Sequence, residues 1–294
     1  MRLQELGTSG LRVSRVGLGC NNFGRRLDLE GTRAVVEAAL AEGITFFDTA
    51  DIYGGGNSER FLGEILKGRR DQVVLATKFG MGEDGRGSRD YVRRAIAASL
   101  ERLASDYVDL YYYHQPDGET PIGETISAML ELADEGTVRA IGVSNFSVEQ
   151  LAEAVEAGPV AALQNRYSLL ERAAEEDVLP RCRELGVSFI PYFPLSSGLL
   201  TGKYRRGQAP PPGSRLESRR DALSDEAFDR VERLEEFASG RGRTLLELAI
   251  AGLASQPAVV SVIAGATSPE QVRENAAAAD WELSDGELEE LLRL

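Results

Sequence analysis

Short β-rich runs alternate with segments of helical period along nearly the whole chain, and this alternation limits the architecture more than any other feature. The runs are Val16–Gly19, Thr45–Asp48, Val73–Lys78, Tyr107–His114, Val138–Val143, Ala161–Gln164, Ser188–Tyr192 and Val259–Ile263. Several are almost continuously apolar, as strands buried on both faces must be. Between them lie patterns such as A-V-V-E-A-A-L-A-E, with apolar residues at three- and four-residue spacing. Gly43, Gly68, Gly136, Gly158 and Gly186 each stand between a helical pattern and the next strand, the place of a C′ glycine. Ser147-x-x-Gln150, Thr244-x-x-Glu247 and Ser268-Pro-x-Gln271 read as capping boxes, the last with Pro269 at the first helical position.

Eight strand-helix units predict an α/β chain closed into a (β/α)8 barrel rather than an open doubly wound sheet. A dinucleotide-binding open sheet would carry G-x-G-x-x-G after its first strand. This chain has G-L-G-C-N-N-F-G there, without the third glycine at the required offset. Residues 1–13 hold a Gly-Thr-Ser-Gly turn between short alternating segments and predict a hairpin closing the barrel floor. Residues 203–221, rich in Pro, Gly and Arg, predict a long loop after the seventh strand, either functional or disordered, followed by an extra helix over about Asp225–Ser239. A further helix is expected at the C-terminus. All 294 residues are read as a single barrel domain.

Composition narrows the function. The net charge of −14 argues against a nucleic-acid partner, which needs a basic face. No apolar run reaches the ~18 residues of a membrane span, and the first ten residues have no apolar core of the kind a secretory leader carries. Cys20 and Cys182 lie far apart at no metal-ligand spacing, so a reducing cytoplasm is the expected compartment. The single histidine, His114, excludes a multi-histidine metal site. Only Lys67, Lys78 and Lys203 stand among 33 basic residues.

In a (β/α)8 barrel the chemistry sits where the strands end. Asp48, Lys78 and His114 fall on successive strand ends, and Tyr53 follows Asp48 on the next loop. Each alone could be an ordinary polar strand-end residue, Asp48 a turn cap or Tyr53 a loop anchor. Together they suit proton transfer to a carbonyl oxygen. A free tyrosine, with a pKa of about 10, is a poor acid at neutral pH, and a neighbouring ammonium is expected to lower that value. Asp48 would orient Lys78, and His114 would hydrogen-bond the carbonyl. No obvious nucleophile is present, so a separate hydride donor is required.

At this point the chain resembles the aldo-keto reductase family. The matching stretches are G-L-G-C-N-N-F-G (17–24), F-D-T-A-D-I-Y-G-G-G-N-S-E (47–59), A-T-K-F-G (76–80), D-L-Y-Y-Y-H-Q-P-D (109–117), G-V-S-N-F (142–146), Q-N-R-Y-S (164–168), P-L-S-S-G-L-L-T-G-K-Y (194–204) and G-A-T-S-P-E-Q-V-R-E-N (265–275). The resemblance implies a (β/α)8 barrel that reduces aldehydes and ketones with a nicotinamide cofactor. It places Tyr53 as general acid, Lys78 and Asp48 tuning it, and His114 positioning the carbonyl. It implies cofactor contacts at Gly19, Cys20, Asn21 and Asp48, with Ser144, Asn145 and Gln164 on the carboxamide and Tyr192 stacked beneath the nicotinamide. Phe193, Pro194, Leu195, Ser196, Gly198, Leu200 and Lys203 would wrap the pyrophosphate, with Arg215 adding charge. Gly265, Thr267, Gln271 and Asn275 would meet the adenosine, where a helix N-terminus favours an anion.

The expected cofactor is NADPH. Thr267 and Gly265 stand where relatives carry the basic residues that meet a 2′-phosphate, so NADH stays open. The expected partner is a small-molecule carbonyl substrate, with Phe23 and Phe79 helping to line an apolar mouth beside Tyr53 and His114. Two other readings stay open: a nicotinamide-binding sensor or interaction subunit on the same fold, and a Schiff-base aldolase acting through Lys78. Oligomeric state is not readable.

Overall fold

The computed structural model describes residues 1–82, 85–217 and 223–294. The chain begins with an antiparallel hairpin, β1 (Leu3–Glu5) and β2 (Arg12–Ser14), and then runs as strand-helix units. These are β3 (Val16–Gly19) and α1 (Leu29–Ala41), β4 (Phe46–Asp48) and α2 (Asn57–Ile65), β5 (Val74–Phe79) and α3 (Arg89–Leu103), and β6 (Val108–Tyr113) and α4 (Ile122–Asp134). They continue with β7 (Val138–Ser144) and α5 (Val148–Ala157), then β8 (Ala162–Arg166) and α6 (Val178–Leu185). After β9 (Ser188–Tyr192) come α7 (Asp225–Ser239) and α8 (Leu245–Ala254), then β10 (Val262–Gly265), α9 (Pro269–Ala278) and α10 (Asp285–Leu292).

Among the described residues, eight strands form one parallel sheet in the order β10-β3-β4-β5-β6-β7-β8-β9. The seam between β9 and β10 is drawn together by a bridge from Phe189 to Val259, with the Phe189 N–H donating to the Ala258 carbonyl at 2.8 Å. The sheet is therefore a nearly closed barrel, as the strand count requires. The eighth strand begins three residues later than its apolar run, because Val259 is spent on this seam. The extra helix after the seventh barrel strand and the C-terminal helix are both present as α7 and α10. Residues 218–221 of the loop expected over 203–221 lie outside the described residues.

Alternation along the strands separates two cores. One face of each strand looks into the barrel, where Phe46, Ala76, Leu110, Tyr112, Ala140, Ala162, Ile190 and Ile263 pack together. Leu6 and Val13 of the hairpin join that cluster and plug the floor, and the Gly7 N–H donates to Ser188 Oγ at 2.7 Å. Glycine at 142 is sterically required, since a Cβ there would stand 2.5 Å from the ring of Tyr112. The opposite face packs against the helices as the larger outer core.

The helix ends follow local chemistry with two exceptions. The boxes at Ser147 and Thr244 are complete, whereas Ser268 caps Gln271 while the Gln271 carboxamide turns back to the Thr267 N–H at 2.8 Å. Gly43, Gly68, Gly136 and Gly186 have positive φ near the left-handed region, but Gly158 is extended. Its glycine is needed for space: a Cβ would meet Leu130 Cδ1 at 2.4 Å. No helix among the described residues is long and apolar enough to cross a membrane.

One polar cluster lies in the outer core. Glu59 on α2 is fully buried; its carboxylate accepts from Thr77 Oγ1 and from Arg102 Nε, each at 2.6 Å. Beside it, Asp51 Oδ1 and the Tyr111 hydroxyl are buried without hydrogen-bond partners. Burial, and then the Glu59 charge, push the Asp51 carboxyl up to about 6. Removing the cation while leaving the buried acid is costly, so Arg102→Met is expected to destabilise the fold by about 3 kcal/mol in urea unfolding, with Glu59→Gln in the same chain recovering part of the loss. Asp51 stays protonated in the fold up to about 6 but ionises in the unfolded chain above its ordinary 3.8, so its contribution to stability falls as pH rises through that window. Asp51→Asn is accordingly expected to raise Tm by roughly 2–4 °C near pH 8 and to change it little near pH 4.

Candidate active site

The strand alternation that fills the barrel also builds the site. Phe46 and Asp48 are two residues apart on β4, and Ala76 and Lys78 stand likewise on β5. The same step separates Ala162 from Gln164 and Ile190 from Tyr192. Lys78, buried from solvent, occupies the last inward position of β5, one residue before the strand ends. Its Nζ donates to Asp48 Oδ2 at 2.7 Å and to the Thr49 carbonyl at 2.9 Å. The other Asp48 oxygen accepts from Gln164 Nε2 at 3.0 Å, which ties β4 to β8 across the barrel. Burial opposes the Lys78 ammonium, but Asp48 and Tyr53 beside it prevail and hold it above its ordinary pKa.

Tyr53 opens a 3₁₀ turn, Tyr53–Gly56, directly after β4. Its ring lies 5.1 Å from Lys78 Nζ and meets the His114 ring edge-on at 6.1 Å between centroids. Burial pushes the phenol above its usual pKa, against the ammonium and hydrogen bond of Lys78, which pull it down. The lowering expected from the sequence is therefore outweighed: desolvation is the larger effect, and the phenol keeps its proton at neutral pH. His114 follows β6, its carbonyl accepting from Asn145 Nδ2 at 2.9 Å. Burial and the nearby Lys78 charge hold its pKa down to about 3, so the imidazole is neutral at pH 7. Its Nδ1 is buried without a partner.

Asp48, Tyr53 and His114 stand at one end of a cavity of about 1030 Å³. Gly19, Cys20, Asn21, Ser144, Asn145, Gln164, Tyr192, Phe193, Pro194, Leu195, Gly198, Lys203, Arg215, Gly265, Thr267, Gln271 and Asn275 all line it. Lys78 lies behind this wall, acting on the cavity through Asp48 and Tyr53. Ser196 and Leu200 do not line it: Ser196 bonds to Ser168 Oγ at 2.8 Å, and Leu200 is fully buried.

Phe23 and Phe79 require correction. Both are fully buried in the outer core and neither reaches the mouth. Phe79 follows Lys78 directly, so the strand turns it to the helix side, where it stacks on Tyr111 and Tyr113 at 4.7 and 5.3 Å. The mouth carries Ile52, Met81 and Gln115 instead. Asn22, Arg25, Arg26 and Glu274 are further lining residues absent from the sequence reading. The Arg25-Arg26 doublet directly after a strand-end loop was the available signal.

The backbone around the cavity departs from the common regions at several strand ends. Asn145 after β7 and Phe193 and Ser197 after β9 line the cavity with left-handed backbone, as does Ser196 between the latter two without reaching the wall; Ala104, at the end of α3, also has left-handed backbone. Such backbone is sparsely populated and persists where its surroundings hold it. The Tyr192 hydroxyl donates to Asn145 Oδ1 at 2.7 Å, joining the two strand ends into one cradle. At the other end Thr267, Gln271, Glu274 and Asn275 line the wall around the start of α9. Among the described residues no group of three or more His, Cys, Asp or Glu could hold a metal ion.

The aldo/keto reductase family model matches residues 15–294. A probable voltage-gated potassium channel subunit beta of Oryza sativa subsp. japonica is 37% identical over 301 residues, covering 95% of this chain and 92% of that protein. An NADH-specific methylglyoxal reductase of Escherichia coli (strain K12) is 36% identical over 316 residues, covering 98% and 96%. The holo structure of an aldo-keto reductase from Bacillus halodurans superposes with a TM-score of 0.85 at 34% identity, covering 100% of this chain and 96% of that one. The chain therefore belongs to the aldo/keto reductase family and is an NAD(P)H-dependent oxidoreductase.

Proposed function

We propose that this chain reduces small aldehydes and ketones to alcohols, with Tyr53 as general acid. The observation that carries this reading is the buried Lys78–Asp48 pair beside a protonated Tyr53 at the end of the cavity. Tyr192, Asn145 and Gln164 would hold a nicotinamide, which when bound would supply the hydride for the carbonyl carbon. Tyr53 gives its proton to the carbonyl oxygen. The phenolate left behind is stabilised by Lys78, which Asp48 and Thr49 keep charged and aimed. Neutral His114 donates an N–H to the same oxygen and fixes its position. A neutral donor suits this role, because a second buried cation next to Lys78 would be costly.

For the cofactor, the adenosine end favours NADH at least as much as NADPH. Glu274 lines that end, the Thr267 N–H and hydroxyl are both engaged by Gln271, and Arg273 is drawn to Glu270. A 2′-phosphate would thus meet an acid there and, among the described residues, no cation free of a carboxylate. The Escherichia coli relative, described as NADH-specific, agrees with this. The Oryza relative's description favours a second reading, a nicotinamide-binding subunit that acts through a protein partner. Tight nicotinamide binding without turnover of any carbonyl would select it. The aldolase reading would need a neutral lysine, and Lys78 is held firmly charged.

Tyr53→Phe is expected to lower kcat for carbonyl reduction by about 10²–10⁴-fold while cofactor affinity, read by nucleotide fluorescence, stays within about twofold. Wild-type rates from that variant would remove Tyr53 from the acid role. In a paired fluorescence titration, NADH is expected to bind as tightly as NADPH or tighter. A preference for NADPH of about tenfold, or 1.4 kcal/mol, would overturn the reading of the adenosine end.

A further inference from the structure

In the apolar cluster inside the barrel, Tyr112 alone among the described residues brings a polar atom. Its register partners form a row across four strands: Lys78 on β5, Tyr112 on β6, Gly142 on β7 and Ala162 on β8. Partners in a parallel sheet share a face, so the whole row looks into the barrel with Lys78. Two of its members are small, and Tyr112 uses the space they leave. A Cβ at position 142 would stand 2.5 Å from Tyr112 Cε1 and 3.0 Å from the Ala162 carbonyl. The ring therefore lies across the bare backbone of β7 toward β8. Lys78 Nζ is 5.8 Å from the ring centroid, and Gln164 stands two residues beyond Ala162 on the same face of β8.

The hydroxyl at the end of this ring is buried and makes no well-formed hydrogen bond. Phenylalanine would fill the same volume, and a buried hydroxyl without a partner is destabilising. The polar groups that act on it belong to the site already described. Burial and then the Asp48 charge push the phenol well above its ordinary pKa, while the Gln164 side chain draws it down. A downward pull is what an N–H aimed at the phenol oxygen produces. Gln164 Nε2 has two N–H groups, of which one donates to Asp48 Oδ1 at 3.0 Å. The other is the group available to Tyr112. Gln164 lines the cavity, whereas Tyr112 lies behind it.

We propose that Tyr112 is a positioning residue, its hydroxyl taking the second Nε2 N–H of Gln164 and so turning the Gln164 oxygen toward the cavity, where a nicotinamide carboxamide would donate to it. Asp48 and Tyr112 together then hold the amide nitrogen, and the amide cannot flip end for end. Hydrogen bonds of this kind are often loose before a ligand binds and tighten once it is held. Tyr112 touches neither cofactor nor substrate and acts only through Gln164. The inference rests on the nicotinamide reading of the cavity above and adds to it a residue one layer below the wall.

The test is a double-mutant cycle in binding, read by calorimetric titration with NADH and with ADP-ribose, which lacks the nicotinamide. Tyr112→Phe is expected to weaken NADH about fivefold and to change ADP-ribose by less than about twofold. The Tm of the ligand-free chain should stay level or rise, because the variant removes an unpartnered buried hydroxyl. In a Gln164→Leu background the same substitution is expected to change NADH affinity by less than about twofold. Equal NADH affinity in the wild type and Tyr112→Phe would overturn the proposal. So would equal losses for NADH and ADP-ribose, or an undiminished loss in the Gln164→Leu background, either of which would make Tyr112 a packing residue. A wild type that binds NADH yet reduces no carbonyl would fail the reductase and leave the cycle to decide on Tyr112. A wild type that binds ADP-ribose as tightly as NADH would fail the nicotinamide reading and this proposal together.

Discussion

A buried ion pair at the end of the barrel organises this molecule. Lys78 and Asp48 are both withdrawn from water, and an isolated charge in either place would cost several kcal/mol. The cost is offset because both groups are fully engaged: Lys78 on Asp48, Thr49 and Tyr53, Asp48 on Lys78 and Gln164. Four elements meet at that pair, namely β4, β5, β8 and the turn after β4. Tyr53 and the floor of the cavity take their positions from it.

The pair also sets the acid-base balance. An ammonium next to a phenol lowers the phenol's pKa in water, but here the same burial that strengthens the pair disfavours a phenolate more. The resting tyrosine keeps its proton, and in the proposed reduction it gives that proton up while the lysine stabilises the phenolate. The imidazole opposite is neutral because burial and the Lys78 charge both act against a second cation. Burial thus keeps both groups that would touch a carbonyl oxygen uncharged, against the Lys78 charge at Tyr53 and together with it at His114.

The second electrostatic theme is at the rim. Most arginines stand against carboxylates, yet three that line the cavity have no acid partner among the described residues. Glu274 lines the cavity beside α9, and Arg25, Arg26 and Arg215 line it as well, the first two close enough to Arg215 to lower its affinity for its proton.

Much of this was legible in the chain alone. The spacing of strands and helices determined the barrel, because period two and period 3.6 each commit a segment to one element. The helix after the seventh barrel strand was readable to the residue, from Asp225 to Ser239. The strand ends determined the quartet Asp48, Tyr53, Lys78 and His114, since barrel geometry brings successive strand ends together. Phe79 was misplaced although its parity was available: the neighbour of an inward lysine must face the helices. The eighth strand's start and the half-formed cap at Ser268 were decided by tertiary contacts, the seam at Phe189 and the turn of Gln271 toward Thr267. Tertiary structure alone decided the direction of the Tyr53 shift and the lack of acid partners, among the described residues, at Arg25, Arg26 and Arg215. Both depend on desolvation and on charges far apart in sequence, and neither quantity exists until the chain has closed around them.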